Sequence, residues 1–171
     1  MTTEQWIAAG SVAAVIVAAI AIVVSMILVR DQLRTIVFLE YTKRFNKIMS
    51  RLPVNARKPG SPYRLAALPE DDRLEVVSVF RDYFNMCSEE MWLKSAGRID
   101  SGTWDIWCEG MKDAARTPAF PEAWSELADE YRYHPKFRKF MDVLIGAVAK
   151  EQTHLQPGAS SGTSRPSKPG A

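Results

Sequence analysis

Residues 6–29 read WIAAGSVAAVIVAAIAIVVSMILV, and every later segment takes its meaning from what this stretch is. It is free of charge until Arg30, and its only weakly polar members are Gly10, Ser11 and Ser25. Roughly 20 consecutive apolar residues cross a bilayer as a helix. A buried core helix would be shorter and would show a polar stripe, so this stretch is expected to span a membrane. A secretory leader has a basic start, a shorter apolar core and a small-residue cleavage site. The preceding MTTEQ holds no Lys or Arg, and the run from Met26 to Arg30 offers no such site. The stretch therefore reads as a retained anchor, preceded by a short extracytoplasmic segment, residues 1–5.

The flanks orient it. Before the span lie Glu4 and the terminal amine; after it come Arg30, Arg34, Lys43, Arg44, Lys47 and Arg51. Lys and Arg near a span mark its cytoplasmic side. The expected topology has the N-terminus outside and the C-terminus in the cytoplasm, with Trp6 at the outer interface, where an indole is favoured.

The remaining length suffices for one domain with its own core. The net charge of +2 conceals segregation. Residues 30–64 hold nine Lys/Arg against Asp31 and Glu40, whereas residues 65–134 hold seven against fifteen Asp/Glu. A basic collar thus adjoins the span and an acidic body follows it. The collar can contact anionic headgroups, each cation contributing roughly 1 kcal/mol near the surface, or it can contact the acidic body. No nucleic-acid partner is expected, because these cations lie where the membrane is. Cys87 and Cys108 are expected as reduced thiols in the cytosol.

Neither Gly nor Pro interrupts the chain from Ser11 to Leu52. Phe38, Tyr41, Phe45, Ile48 and Leu52 recur at helical spacing, with Lys43, Lys47 and Arg51 opposite. The span is expected to continue as a juxtamembrane helix over 30–52, its aromatic face docked on the domain. Residues 53–69, with Pro59, Gly60, Pro62 and Pro69, read as a loop. A helical cytosolic domain is expected over 70–154. Its first helix opens after Pro69 with an acidic turn and carries Leu74, Val77, Phe80, Phe84, Cys87 and Met91 as a stripe, with Gly97 as C-cap. Asp100 or Ser101 caps the next, whose face is Trp104, Cys108, Met111 and Ala115. Pro118 and Pro121 mark a helix with Phe120, Trp124, Leu127 and Tyr131. Pro135 starts a last one with Phe137, Phe140, Met141, Leu144, Ile145 and Val148. No segment alternates with period two, so the fold class is all-α. Residues 155–171 are rich in Pro, Gly and Ser and read as a disordered tail.

The blocks FLEYTKRFNKIM and YFNMCSEEMWLKSAGRIDSGTWDIWCEGM, followed by FPEAW and KFRKFMD, resemble a family of short bacterial proteins with one N-terminal span and a helical cytosolic domain. The resemblance covers about residues 30–145. It implies a bacterial source, hence the inner membrane, and a single unit of anchor and helices. No activity is established for that family, so no residue inherits a catalytic role.

Three constellations remain. Cys87 and Cys108 flank Gly97 at similar distances and are expected to meet across a helical hairpin, as small buried hydrophobes or as a thiol pair. Glu89, Glu90, Asp105 and Glu109, near Trp92 and Trp107, form an acidic set. Paired carboxylates can do acid–base work if burial separates their pKa values; without histidine on these helices the set reads as a solvated face or a partner for the basic rod. Gly10, Ala14, Ala18, Ala21 and Ser25 share one face of the span, and small faces let helix backbones approach closely in lipid. No phosphate loop, zinc spacing or nucleophile elbow is present, so no catalytic residue, metal or cofactor is expected. The reading is a non-enzymatic, single-pass, membrane-anchored scaffold. Its expected partners are the lipid bilayer, a further copy of itself through the span, and a protein of unknown identity. The rival readings are a pore-forming effector and a membrane-tethered enzyme.

Overall fold

A computed structural model describes residues 2–155, with side chains for 2, 3 and 14–154. The expected tail lies outside the described residues from 156 onward, and the surroundings of Trp6 and Gly10 lie outside the described side chains. The described residues are helical and contain no strand: α1 (Thr3–Met49), α2 (Glu70–Ser95), α3 (Ser101–Ala115), α4 (Ala119–Leu127) and α5 (Pro135–Leu155). Short 3₁₀ turns cover Val54–Arg57, Leu65–Ala67 and Ala128–Tyr131.

The feature that organises the molecule is α1. Its 47 residues extend about 70 Å at 1.5 Å per residue. Residues 14–33 are exposed throughout. Within Ala14–Met49 lies the one described helix long and apolar enough to cross a membrane. Without Gly or Pro after Ser11, nothing breaks the backbone ladder between this apolar part and the end that packs into the bundle. Ile48 and Leu52 are buried there, each contributing about 1.5–3 kcal/mol on full burial.

The helix ends follow local chemistry. Glu70, Asp71 and Asp72 occupy the first turn of α2, where carboxylates meet the positive end of the helix dipole. Gly97, at φ +66°, closes α2. Its N–H donates to the Lys94 carbonyl at 3.1 Å, and the Arg98 N–H donates to the Leu93 carbonyl at 2.9 Å. This is the Schellman pairing that satisfies two orphan carbonyls. Asp100 caps α3, its Oδ1 accepting from the Thr103 N–H at 2.9 Å and its Oδ2 from the Thr103 hydroxyl at 2.8 Å.

The core is an aromatic cluster between α2, α4 and α5. Phe84, fully buried, sits with its ring 5.0 Å from those of both Phe120 and Trp124. Its polar atoms are satisfied at the periphery. Trp124 Nε1 donates to Asp142 at 2.8 Å, and the Tyr131 hydroxyl donates to Asn85 at 2.8 Å.

Two expectations need correction. Leu74 is not on the buried stripe of α2; it is 52% exposed. Its neighbour Arg73 is the residue turned toward α4, donating to Glu126 at 2.6 Å, and the next residue on a helix points about 100° away. The second concerns 53–69, which is more than a connecting loop. Leu65 is fully buried and Ala56 is buried. The Leu65 N–H and the Arg64 guanidinium both donate to Glu122 of α4, at 2.7 and 2.9 Å. The segment is strapped onto α4 and belongs to the core, as does the end of α1.

Candidate functional site

The docked end of α1 meets α2 along a seam with a fixed register. Arg44 grips Glu89 with both guanidinium nitrogens, one of them at 3.1 Å, and the Tyr41 hydroxyl donates to the same carboxylate at 3.1 Å. Arg51 donates to Asp82 at 2.5 Å. The two arginines are seven residues apart on α1, and their partners are seven apart on α2 in the reverse order. The helices therefore run antiparallel, with two turns between matched ion pairs. All four side chains are 39–48% exposed, so each pair contributes about 0–1 kcal/mol. Their effect is to set register; burial of Ile48 and Leu52 holds the helix down. Burial, then the bond to Glu89, pushes the Tyr41 hydroxyl up to about 12.

Beneath this seam is a cavity of about 270 Å³. Its walls are aromatic and thioether: Phe38, Tyr41, Phe45, Tyr83 and Trp107 with Met86 and Met111. Trp107 closes it by lying parallel to Phe38, ring centres 6.5 Å apart, with Tyr41 at 5.3 Å. The one ionisable wall residue outside the tyrosines is Glu90, which is 4% exposed. Burial pushes its carboxyl up to about 8; the Arg44 cation pulls the other way and the Glu89 carboxylate adds to the rise. At neutral pH Glu90 is a protonated hydrogen-bond donor facing an apolar cavity.

The acidic set thus divides. Glu89 is the partner of the basic rod, Glu109 pairs with Lys112 at 2.5 Å, Asp105 is exposed, and Glu90 is buried. Sequence reasoning grouped these four by proximity in the chain and missed Glu90. The signal was present: Tyr83, Met86, Glu90 and Leu93 fall at helical spacing on the buried face of α2.

Among the six collar cations, Arg44 and Arg51 reach acids of α2, and Arg34 pairs, among the described residues, only with Asp31 of its own helix, at 3.6 Å. Lys43 and Lys47 are exposed. Arg30 borders a second cleft, beside the apolar part of α1. Both cysteines are free, Cys87 buried and Cys108 half-buried. Cys108 lies within electrostatic reach of Cys87. Burial pushes the Cys108 thiol up to about 11 and raises Cys87 well above its ordinary value. Thiolate is the reactive form, so neither thiol is activated for chemistry at neutral pH. Of the small-residue face, Ala14, Ala18, Ala21 and Ser25 are exposed along α1. No group of three or more His, Cys, Asp or Glu among the described residues is arranged to hold a metal ion.

No protein-family model, curated protein or solved structure matches the chain.

Proposed function

We propose that this chain is a single-pass protein of a bacterial inner membrane, with its N-terminus outside and its helical module in the cytoplasm. On this reading it is a non-enzymatic scaffold that presents the module to a protein partner and to further copies of itself. The observation that carries the reading is the continuity of α1: one unbroken helix contains both the exposed apolar stretch and the end buried in the bundle. A module joined to a span in this way cannot reorient freely as it would on a Gly/Ser linker. Its distance from the bilayer is set by the helix, and its facing is set by the Arg44–Glu89 and Arg51–Asp82 register. The collar of Lys and Arg supports the orientation, and the resemblance in sequence blocks supports the bacterial source.

Self-association is assigned to Gly10, Ala14, Ala18, Ala21 and Ser25. Burial from water does not drive helices together inside lipid, so close backbone packing must do so. Gly10→Ile with Ala14→Ile should reduce the signal of a bacterial two-hybrid membrane assay to background. Ile16→Leu with Ile20→Leu, on another face, should leave it intact. An unchanged signal from seam variants that still insert would make the face a matter of composition alone and the protein a monomeric tether.

A further inference from the structure

A second cleft, of about 1140 Å³, opens between the end of the apolar part of α1 and the α2–α3 turn. It extends along α1 from Ile22 to Val37, about 22 Å of helix. Its chemistry changes along that length. Met26 and Val29 form an apolar wall toward the span, and Arg30 and Arg34 follow toward the module. Across from them stand Trp92, 61% exposed, and Arg98 of the turn. No carboxylate lines the cleft. Arg30 and Arg98 make no ion pair among the described residues, and Arg34 makes only its 3.6 Å contact with Asp31.

We propose that this cleft seats an anionic phospholipid, its phosphate held by Arg30, Arg34 and Arg98 and its acyl chains lying against Ile22, Met26 and Val29. The inference rests on the membrane reading above. Three guanidinium groups with no lining acid are complementary to a phosphodiester, which Arg binds in a fork. A free phosphate would leave Met26, Val29 and Trp92 uncovered, whereas a lipid covers both ends of the gradient. The register of the α1–α2 seam sets the α2–α3 turn opposite the part of α1 near Arg34 and Val37.

The test uses the full chain in mild detergent and native mass spectrometry, with phosphatidylglycerol and phosphatidylcholine of matched acyl chains as probes. Phosphatidylglycerol should be retained in preference to phosphatidylcholine and should survive excess inorganic phosphate. Arg98→Gln should weaken retention roughly fivefold, and the triple Arg30→Gln, Arg34→Gln, Arg98→Gln change by on the order of a hundredfold. Arg132→Gln, away from the cleft, should have no effect. Arg98 is exposed on a turn, so the single variant reads the site without loss of the fold. Equal retention of the two lipids, displacement by phosphate, or indifference to Arg98→Gln would overturn the lipid site. Alkaline extraction of cell membranes separates the two failures. A chain that stays in the pellet but shows no lipid preference loses this site alone; a chain released to the supernatant loses the membrane reading and the site with it.

Discussion

Replacing Glu90 with glutamine should remove most of the chain's loss of stability between pH 4.5 and 8. The Glu90 carboxyl is raised from 4.5 to about 8 in the folded protein. Between those values the folded state holds a proton that the unfolded state has released, so stability falls as pH rises. The slope is about 1.4 kcal/mol per pH unit across the window, several kcal/mol in total. Below the window both states are protonated, and above it both are ionised, so the contribution is flat on either side. Glutamine keeps the shape and carries no charge at any pH. Urea unfolding of the full chain in detergent, followed by tryptophan fluorescence, should show variant and wild type close at pH 5 and the variant clearly more stable at pH 8.5. Four neighbours of Glu90 titrate outside the window: Tyr41 and Cys108 are raised to about 12 and about 11, and Tyr83 and Cys87 well above their ordinary values. Parallel pH profiles for the two proteins would show that Glu90 is not buried beneath α1.

Phe84→Ala should cost about 3–5 kcal/mol. The ring is fully buried and packs against Phe80, Tyr83, Phe120 and Trp124. Its removal forfeits both the burial and the edge-to-face contacts. It also leaves a void that these large rings cannot collapse to fill, because each is held from another side. Leu74→Ala on the same helix is the internal comparison. Leu74 is half-exposed, so its truncation should change stability by no more than about 0.5 kcal/mol. Denaturant midpoints at neutral pH decide between the two positions. A larger loss at Leu74 than at Phe84 would mean that α2 presents the opposite face to the core.

That comparison also marks where the sequence was legible. The chain punctuates itself with residues whose chemistry is local. Pro69, Gly97, Asp100 and Pro135 each sit at a helix boundary for a reason one residue can supply, and those boundaries follow from reading them. The single-face stripe on α2 was too narrow for a physical reason. α2 touches α1, α3 and α4, so Val76, Val79, Tyr83, Met86 and Glu90 are buried as well. A period of 3.6 identifies one face of a helix and is silent when neighbours cover two. Residues 53–69 carry no period at all. Leu65 is buried, and Glu122, 57 positions later, accepts its N–H, a pairing that no local pattern encodes. Glu90 was hidden by its neighbour: beside Glu89 it reads as surface charge, and only its distance from Tyr83 and Leu93 reveals the inner face.

On the proposed reading, α1 carries a bilayer-spanning segment and the cytosolic module on one helix. Paired reporter fusions after Ala171 test it most directly, with alkaline phosphatase and a fluorescent protein each expressed from the full chain. An inactive phosphatase and a bright fluorescent protein are expected, both at full-length mass in the membrane fraction. An active phosphatase, or a shortened product free of the membrane, would contradict it.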